Sequence, residues 1–266
     1  ACSLVAVVPA MAADEPSAGE LETVVVTGTR TRAASNLETA VPVDVVSAEQ
    51  IASAGALGGG VVTELSAAGA QVVVPCIDDG PGHAVPGVRY VPRVDVADEL
   101  AVAAFYESLS GLWASVHLAG GFTWAKLEET SVETVRAQWT MNALTCFLCC
   151  RAAVQKIRGG GLPGRIVNVT SRGALQPGAG LSAYAMAKAA VTALTTTLAE
   201  ELREEGILIN AIAPGIIDTP ANRAAMPQAE HERWPKPAEL ARAVHYLVSP
   251  DNTATSGAIV PVYGRS

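Results

Sequence analysis

Charge and aromatic rings are scarce in this sequence. Only 17% of its 266 residues are Asp, Glu, Lys or Arg, 5% are Phe, Trp or Tyr, and 4 are His. Basic residues are the minority charge, 18 against 26 acidic for a net −8, and they do not cluster. A phosphate backbone is held by clustered cations, so a nucleic-acid partner is excluded. No apolar run reaches the roughly 18 residues of a spanning helix, which argues against a transmembrane segment. Low hydrophobicity is missing too. Half of the residues are hydrophobic, enough to bury a sizeable core and too many for a mainly disordered chain.

Cysteine is present but not in a framework. The five stand at 2, 76, 146, 149 and 150, an odd number with two adjacent and no paired C-x-x-C units. That spacing argues against a disulfide scaffold and against a zinc motif. It leaves buried thiols in a reduced, cytoplasmic compartment.

The start of the chain pulls the other way. Residues 1–13 read ACSLVAVVPAMAA, with an apolar core and an A-x-A site like those of a secretory signal, although no basic segment precedes them. Residues 14–20 are a polar linker, so 1–20 form a signal-like unit that leaves export open. From Leu21 the sequence LETVVVTGTRTRAASNLETAVPVDVVSAEQ resembles the beginning of the plug domain of TonB-dependent outer-membrane receptors. No series of alternating barrel strands follows it. Residues 21–54 are therefore an atypical segment ahead of a domain spanning 55–266.

In that domain, strand-like runs at 71–74, 115–118, 165–169, 208–212 and 258–262 alternate with helical stretches at 59–68, 99–109, 131–157, 181–205 and 237–247. Such alternation predicts an α/β fold, a doubly wound parallel sheet covered on both faces.

The chemistry is concentrated between residues 142 and 219. Tyr184 and Lys188 in YAMAK are four apart and so share one helix face. Ser171 closes the strand-like GRIVNVTS, and Asn142 sits in the preceding long helix. A phenol is a poor acid or base at neutral pH, its ordinary pKa being about 10. A neighbouring ammonium brings it towards the working range. A serine hydroxyl beside it can polarise a carbonyl oxygen, and Asn142 can hold a water that passes protons between Lys188 and solvent.

With AGALGGG at 54–60, DV at 95–96, HLAGG at 117–121, PGIIDT at 214–219 and GAIVPVYG at 257–264, this set makes residues 55–266 resemble a short-chain dehydrogenase/reductase. The resemblance implies a Rossmann-type sheet, a nicotinamide cofactor (NAD or NADP), a small-molecule substrate and a homodimer or homotetramer. It makes Tyr184 the acid/base and Lys188 the residue that lowers its pKa and holds the nicotinamide ribose. Ser171 then orients the substrate oxygen, and Asn142 completes a proton relay. Cofactor contacts are implied at Gly55, Leu57, Gly58, Ala119, Gly120, Pro214, Gly215, Ile217 and Thr219, with Asp95 and Val96 beside the adenine. GALG, AGGF, YAMAK and DTPANRAAMPQAEHERW further resemble the dihydropteridine reductase branch, which usually lacks the serine. No metal is implied.

Several positions depart from the family pattern. Counting back from Gly58, the first two glycines of T-G-x-x-x-G-x-G fall on Ala52 and Ala56, and no strand directly precedes them. Either VVVTG at 24–28 supplies the first strand or VDVV at 43–46 does; VVVTG is the better strand. The degraded loop leaves open a catalytically impaired dinucleotide-binding or scaffold protein. Cys76 stands where an acid selecting NAD is usual, Asp78 and Asp79 follow, and no adjacent Arg or Lys is there for a 2′-phosphate, which tips the reading towards NAD. His117 replaces the family's usual Asn and reads as a supporting hydrogen-bond group. Asn168-Val-Thr fits a glycosylation acceptor but sits in a buried strand. Cys149 and Cys150 read as core or subunit interface. Trp234 and Met226 are placed either over the substrate or against their own segment.

Overall fold

Three consecutive valines begin the sheet. The computed structural model describes residues 23–27, 48–80 (backbone alone as far as 56), 84–161 and 163–266. In it, β1 (Thr23–Thr27) pairs in parallel with β2 (Gln71–Pro75) on one side and β4 (Ala114–His117) on the other. β-branched residues suit a strand covered on both faces. Val25 enters the apolar cluster on one side of the sheet, and Val24 and Val26 enter the cluster on the other. Thr23–Thr27, with the VVVT of 24–27, is therefore the first strand; Gly28, residues 43–46 and the signal-like segment lie outside the described residues.

With β3 (Arg89–Val91), β5 (Gly164–Val169), β6 (Ile207–Pro214) and β7 (Ile259–Val262), the order across the sheet is β3-β2-β1-β4-β5-β6-β7, all parallel. This is the doubly wound Rossmann arrangement. Its winding reverses between β1 and β4, and the carboxyl ends of the strands there border the crevice in which such sheets take ligands.

Helices α1 (Ala48–Ala67) and α8 (Pro237–Val248) cover one face, where Leu57, Val61, Leu65, Leu240, Val244 and Leu247 share a cluster. The other face is covered by α2 (Glu99–Glu107), α4 (Thr145–Gly160) and α6 (Ser182–Glu201). Burying a leucine or valine side chain is worth about 1.5–3 kcal/mol, so these two layers supply most of the driving force.

Three expectations need correcting. First, the helix expected from residue 59 begins at Ala48. Leu57, Val61 and Leu65 repeat every fourth residue and face the core, and that stripe outweighs the low helix propensity of the glycines around it. Second, the single helix expected over 131–157 is three pieces: α3 (Val132–Gln138), a π-helical turn (Trp139–Leu144) and α4. Third, β3 is a short strand of half-buried and exposed residues that no apolar run announces. The short helices α5 (Arg172–Leu175) and α7 (Pro220–Ala225) lie beyond the carboxyl ends of β5 and β6.

Candidate active site

Asn142 owes its position to the π turn. In an α-helix the carbonyl of residue 138 would take the backbone N–H of residue 142; here the Asn142 side-chain amide donates to Gln138 O at 3.0 Å. The same amide donates to Gly121 O at 3.0 Å, and Asn142 Oδ1 accepts from Gly121 N at 3.2 Å. A π turn inside a helix often marks a functional site. This one locks a buried asparagine against the loop after β4.

Gly120 marks where two of the expected residues converge. A Cβ there would lie 2.6 Å from Asn142 Oδ1 and 3.2 Å from Lys188 Nζ, so only glycine admits both side chains. Lys188 is buried on α6 and donates from Nζ to Val169 O, at the end of β5, at 2.8 Å. Burial pulls its ammonium down to about 8, against the opposing pull of Cys146.

Ser171 and Tyr184 flank a second glycine. A Cβ on Gly173 would stand 3.4 Å from Ser171 Oγ and 3.8 Å from Tyr184 Cε1. Ser171 Oγ is buried and meets no partner at full hydrogen-bond geometry, although it lies close enough to the Tyr184 phenol to pull its pKa down. A buried hydroxyl so weakly partnered gains free energy from a further hydrogen bond. The half-buried Tyr184 ring meets Phe122 edge to face, with centroids 5.0 Å apart. The structure thus brings Asn142, Ser171, Tyr184 and Lys188 together at the carboxyl edge of β5.

Burial raises the Tyr184 phenol above its ordinary value, and the hydrogen bond of the neighbouring Ser171 hydroxyl opposes the rise.

The expected cofactor contacts divide into two groups. Ala119 and Gly120 follow β4, where Leu118 N donates to Thr27 O at 2.7 Å and extends the β1–β4 pairing. Pro214 ends β6, and Gly215 N donates to Val262 O at 3.1 Å. Thr219 is buried and caps α7, its hydroxyl accepting from Asn222 N at 3.2 Å, and Asn222 Nδ2 donates to Ile217 O at 2.8 Å. Asp95 and Val96 lie beyond β3; Asp95 Oδ1 accepts from Ala97 N at 2.9 Å, and Val96 packs on the core.

Gly55, Leu57 and Gly58 differ. They lie inside α1, not in a loop ahead of it, and Leu57 is buried in the core. Amides in a helix interior bond four residues back, so they do not form the expected phosphate cradle.

Around β2 the sequence argument against a basic side chain fails in space. Arg93, held in the left-handed region at φ 58°, reaches back from beyond β3 to place Nε 2.9 Å from Asp79 Oδ1. The arginine is remote from Asp79 in sequence, and only the β2–β3 pairing makes them neighbours. Sequence reasoning also missed Phe122 and Gln138; the spacing of 138 and 142 was the one signal for the latter. Trp234 is buried against its own segment, 4.7 Å from the His231 ring. Asn168 is fully buried in β5, which removes it as a glycosylation acceptor.

Residues 51–264 match the family described as enoyl-(acyl carrier protein) reductase. A short-chain type dehydrogenase/reductase of Picea abies is 31% identical over 212 residues, 73% of this chain and 78% of the relative. The 3beta-hydroxysteroid dehydrogenase 1 of Eggerthella lenta is 31% identical over 192 residues, 71% of each. The solved structure of ElxO with NADP bound superposes with a TM-score of 0.76 at 21% identity, covering 92% of this chain and 98% of that one, a likeness of fold. The matched length, the sheet order and the identity to curated relatives agree: the chain belongs to the short-chain dehydrogenase/reductase family of oxidoreductases.

Proposed function

We propose that this protein is an NAD(P)-dependent oxidoreductase in which Tyr184 is the acid/base and the substrate is a carbonyl or its alcohol. The observation that carries this reading is the buried Ser171 hydroxyl beside the Tyr184 phenol, with no partner at full hydrogen-bond geometry, an arrangement suited to receiving a substrate oxygen. A relative named for a hydroxysteroid supports a secondary alcohol and ketone. A pterin-like ring remains the finer likeness of the sequence, but it has less use for Ser171.

The residues fit a nicotinamide ring. Gly120 lets Asn142 and Lys188 close on the loop after β4, and Ala119, Pro214, Gly215, Ile217 and Thr219 would border the cofactor. When bound, the nicotinamide gives or takes the hydride. Ser171 donates its hydrogen to the substrate oxygen and orients it. Tyr184 passes the phenolic proton to that oxygen in reduction and takes it back in oxidation. Lys188, released from Val169 O, stabilises the phenolate, and Asn142 keeps the path from Lys188 to solvent in place. Either nicotinamide cofactor suits the Arg93–Asp79 pair, the acid favouring a ribose hydroxyl and the arginine a 2′-phosphate. Trp139 and Phe147, 50% and 44% exposed on the π turn and α4, are the apolar surface through which the chain would form a homodimer or homotetramer.

The test is Tyr184→Phe. Turnover of a ketone with NADH or NADPH should fall by about 10²–10⁴-fold, with the stabilisation conferred by the dinucleotide unchanged. Undiminished turnover would remove Tyr184 from its role. One observation favours a second reading, a dinucleotide-binding or scaffold protein without catalysis: α1 runs through Gly55 and Gly58. A dinucleotide at a hundred times its dissociation constant adds about 2.7 kcal/mol to stability. Binding without turnover in the wild type would support that second reading, and the absence of any shift would support a scaffold.

A further inference from the structure

Behind the active site, three elements converge on a cluster that the proposed chemistry does not use. His117 ends β4, Cys146 and Cys150 are one turn apart on α4, and Asn168 lies on β5; all four are buried. One ligand atom from each of His117, Cys146 and Cys150 lies within 4.8 Å of the other two. Cys150 Sγ is 3.5 Å from His117 Nδ1 and 3.4 Å from Asn168 Oδ1, and Nδ1 and Oδ1 are 2.8 Å apart. We propose that His117 Nδ1, Cys146 Sγ, Cys150 Sγ and Asn168 Oδ1 form a binding site for one thiophilic divalent cation of the zinc class.

The donor set fits in chemistry, charge and spacing. Two sulfurs, an imidazole nitrogen and a carbonyl oxygen make the four ligands that zinc takes, and two thiolates cancel its charge in a dry interior. Zinc bonds of about 2.0–2.3 Å put tetrahedral ligands about 3.3–3.8 Å apart. Cys150 Sγ already stands within that range of both His117 Nδ1 and Asn168 Oδ1, and the 2.8 Å between Nδ1 and Oδ1 has to open by about 0.5 Å, which side-chain movement supplies.

The surroundings already provide an outer shell. Asn168 Nδ2 donates to Thr195 Oγ1 at 2.9 Å, and Thr195 in turn donates to Val191 O at 2.8 Å, which turns Asn168 Oδ1 towards the cluster. His117 Nε2 lies 2.9 Å from Ser115 Oγ, itself 2.8 Å from Tyr106 Oη. A metal-bound imidazole needs such a partner on its other nitrogen.

Proton balance is simple. Each metal–sulfur bond replaces an S–H, whose proton leaves to solvent. His117 stays neutral: its one ring proton moves from Nδ1, where it is shared with Asn168, to Nε2, where it is donated to Ser115 Oγ, so that two protons leave per metal bound. No electrons move. The spacing argument against a zinc motif concerned ligands close together in sequence, whereas this site is assembled across the fold.

The test uses the full chain, refolded after chelation with ZnCl₂ or CoCl₂. One Zn²⁺ per chain and a thiolate-to-cobalt charge-transfer band are expected. Cys150→Ser, and His117→Asn, which installs the family's usual residue, should abolish the band and weaken Zn²⁺ affinity by at least about 100-fold. Ser115→Ala keeps every ligand and should cost about tenfold through the outer shell, which serves if the ligand variants fail to unfold cooperatively. Zn²⁺ binding that is absent, or that survives Cys150→Ser and Ser115→Ala unchanged, overturns the proposal and leaves a hydrogen-bonded core network.

Discussion

The first strand–helix unit and the β4–β6 half of the sheet reach the same fold by different means. In the later half the elements around β5 and α6 are announced by their own residues: an apolar strand, a serine beyond its end, then a helix carrying Tyr184 and Lys188. In the first unit the strand is equally apolar, but twenty residues separate its end from α1, and glycines that resemble a phosphate loop are wound into the helix. Sheet pairing needs only a buried strand of the right period. A phosphate cradle needs particular amides left without helical partners. Burial can therefore preserve the frame of the first unit while its ligand-binding detail changes.

The largest expected effect tests whether β1 belongs to the frame at all. Val25→Asp puts an unpaired carboxylate between β2 and β4 and should cost more than about 4 kcal/mol, read as loss of cooperative unfolding. A small effect would mean that β1 is dispensable and the comparison is misdrawn.

The next sharpens the later half. Gly120→Ala drives a Cβ into Asn142 Oδ1 and should cost about 1–3 kcal/mol, with turnover falling by more than tenfold. Gly173→Ala meets only ordinary contacts at 3.4 Å or more, and its unfolding free energy should stay within about 0.5 kcal/mol of the wild type.

Lys188 gives a pH signature. Its value is lowered to about 8 from an ordinary 10.5, so between those two pH values the unfolded chain holds the proton that the folded chain has released. The lysine's contribution to stability should therefore rise with pH across that window, by at most about 1.4 kcal/mol per pH unit. The difference in unfolding free energy between wild type and Lys188→Met, followed from pH 7 to 10.5, measures it; a flat difference contradicts the burial of the ammonium.

The smallest effect returns to the first unit. Arg93→Ala should shift the ratio of NADPH to NADH KM by about tenfold towards NADH, the loss of one charge-assisted contact to a phosphate. Asp79→Ala should move it the other way. Equal responses to both cofactors would detach this ion pair from the cofactor.

Parallel topology, the two covered faces and the Ser171, Tyr184 and Lys188 positions were legible because each rests on local periodicity or on a spacing within one element. The interruption at Asn142 was not, since a π turn depends on which donor wins the Gln138 carbonyl. Nor was the neighbourhood of Arg93 and Asp79, which exists only through β2–β3 pairing.

By itself the sequence determined the apolar strands, the helix faces and the phenol–amine pair, because hydrophobic period and side-chain spacing act over a few residues. Tertiary structure alone decided that Lys188 turns to Val169 rather than to the phenol, that the glycines of α1 are helical, and that His117 meets two cysteines and an asparagine. Those outcomes depend on competition for hydrogen bonds and buried space among segments distant along the chain.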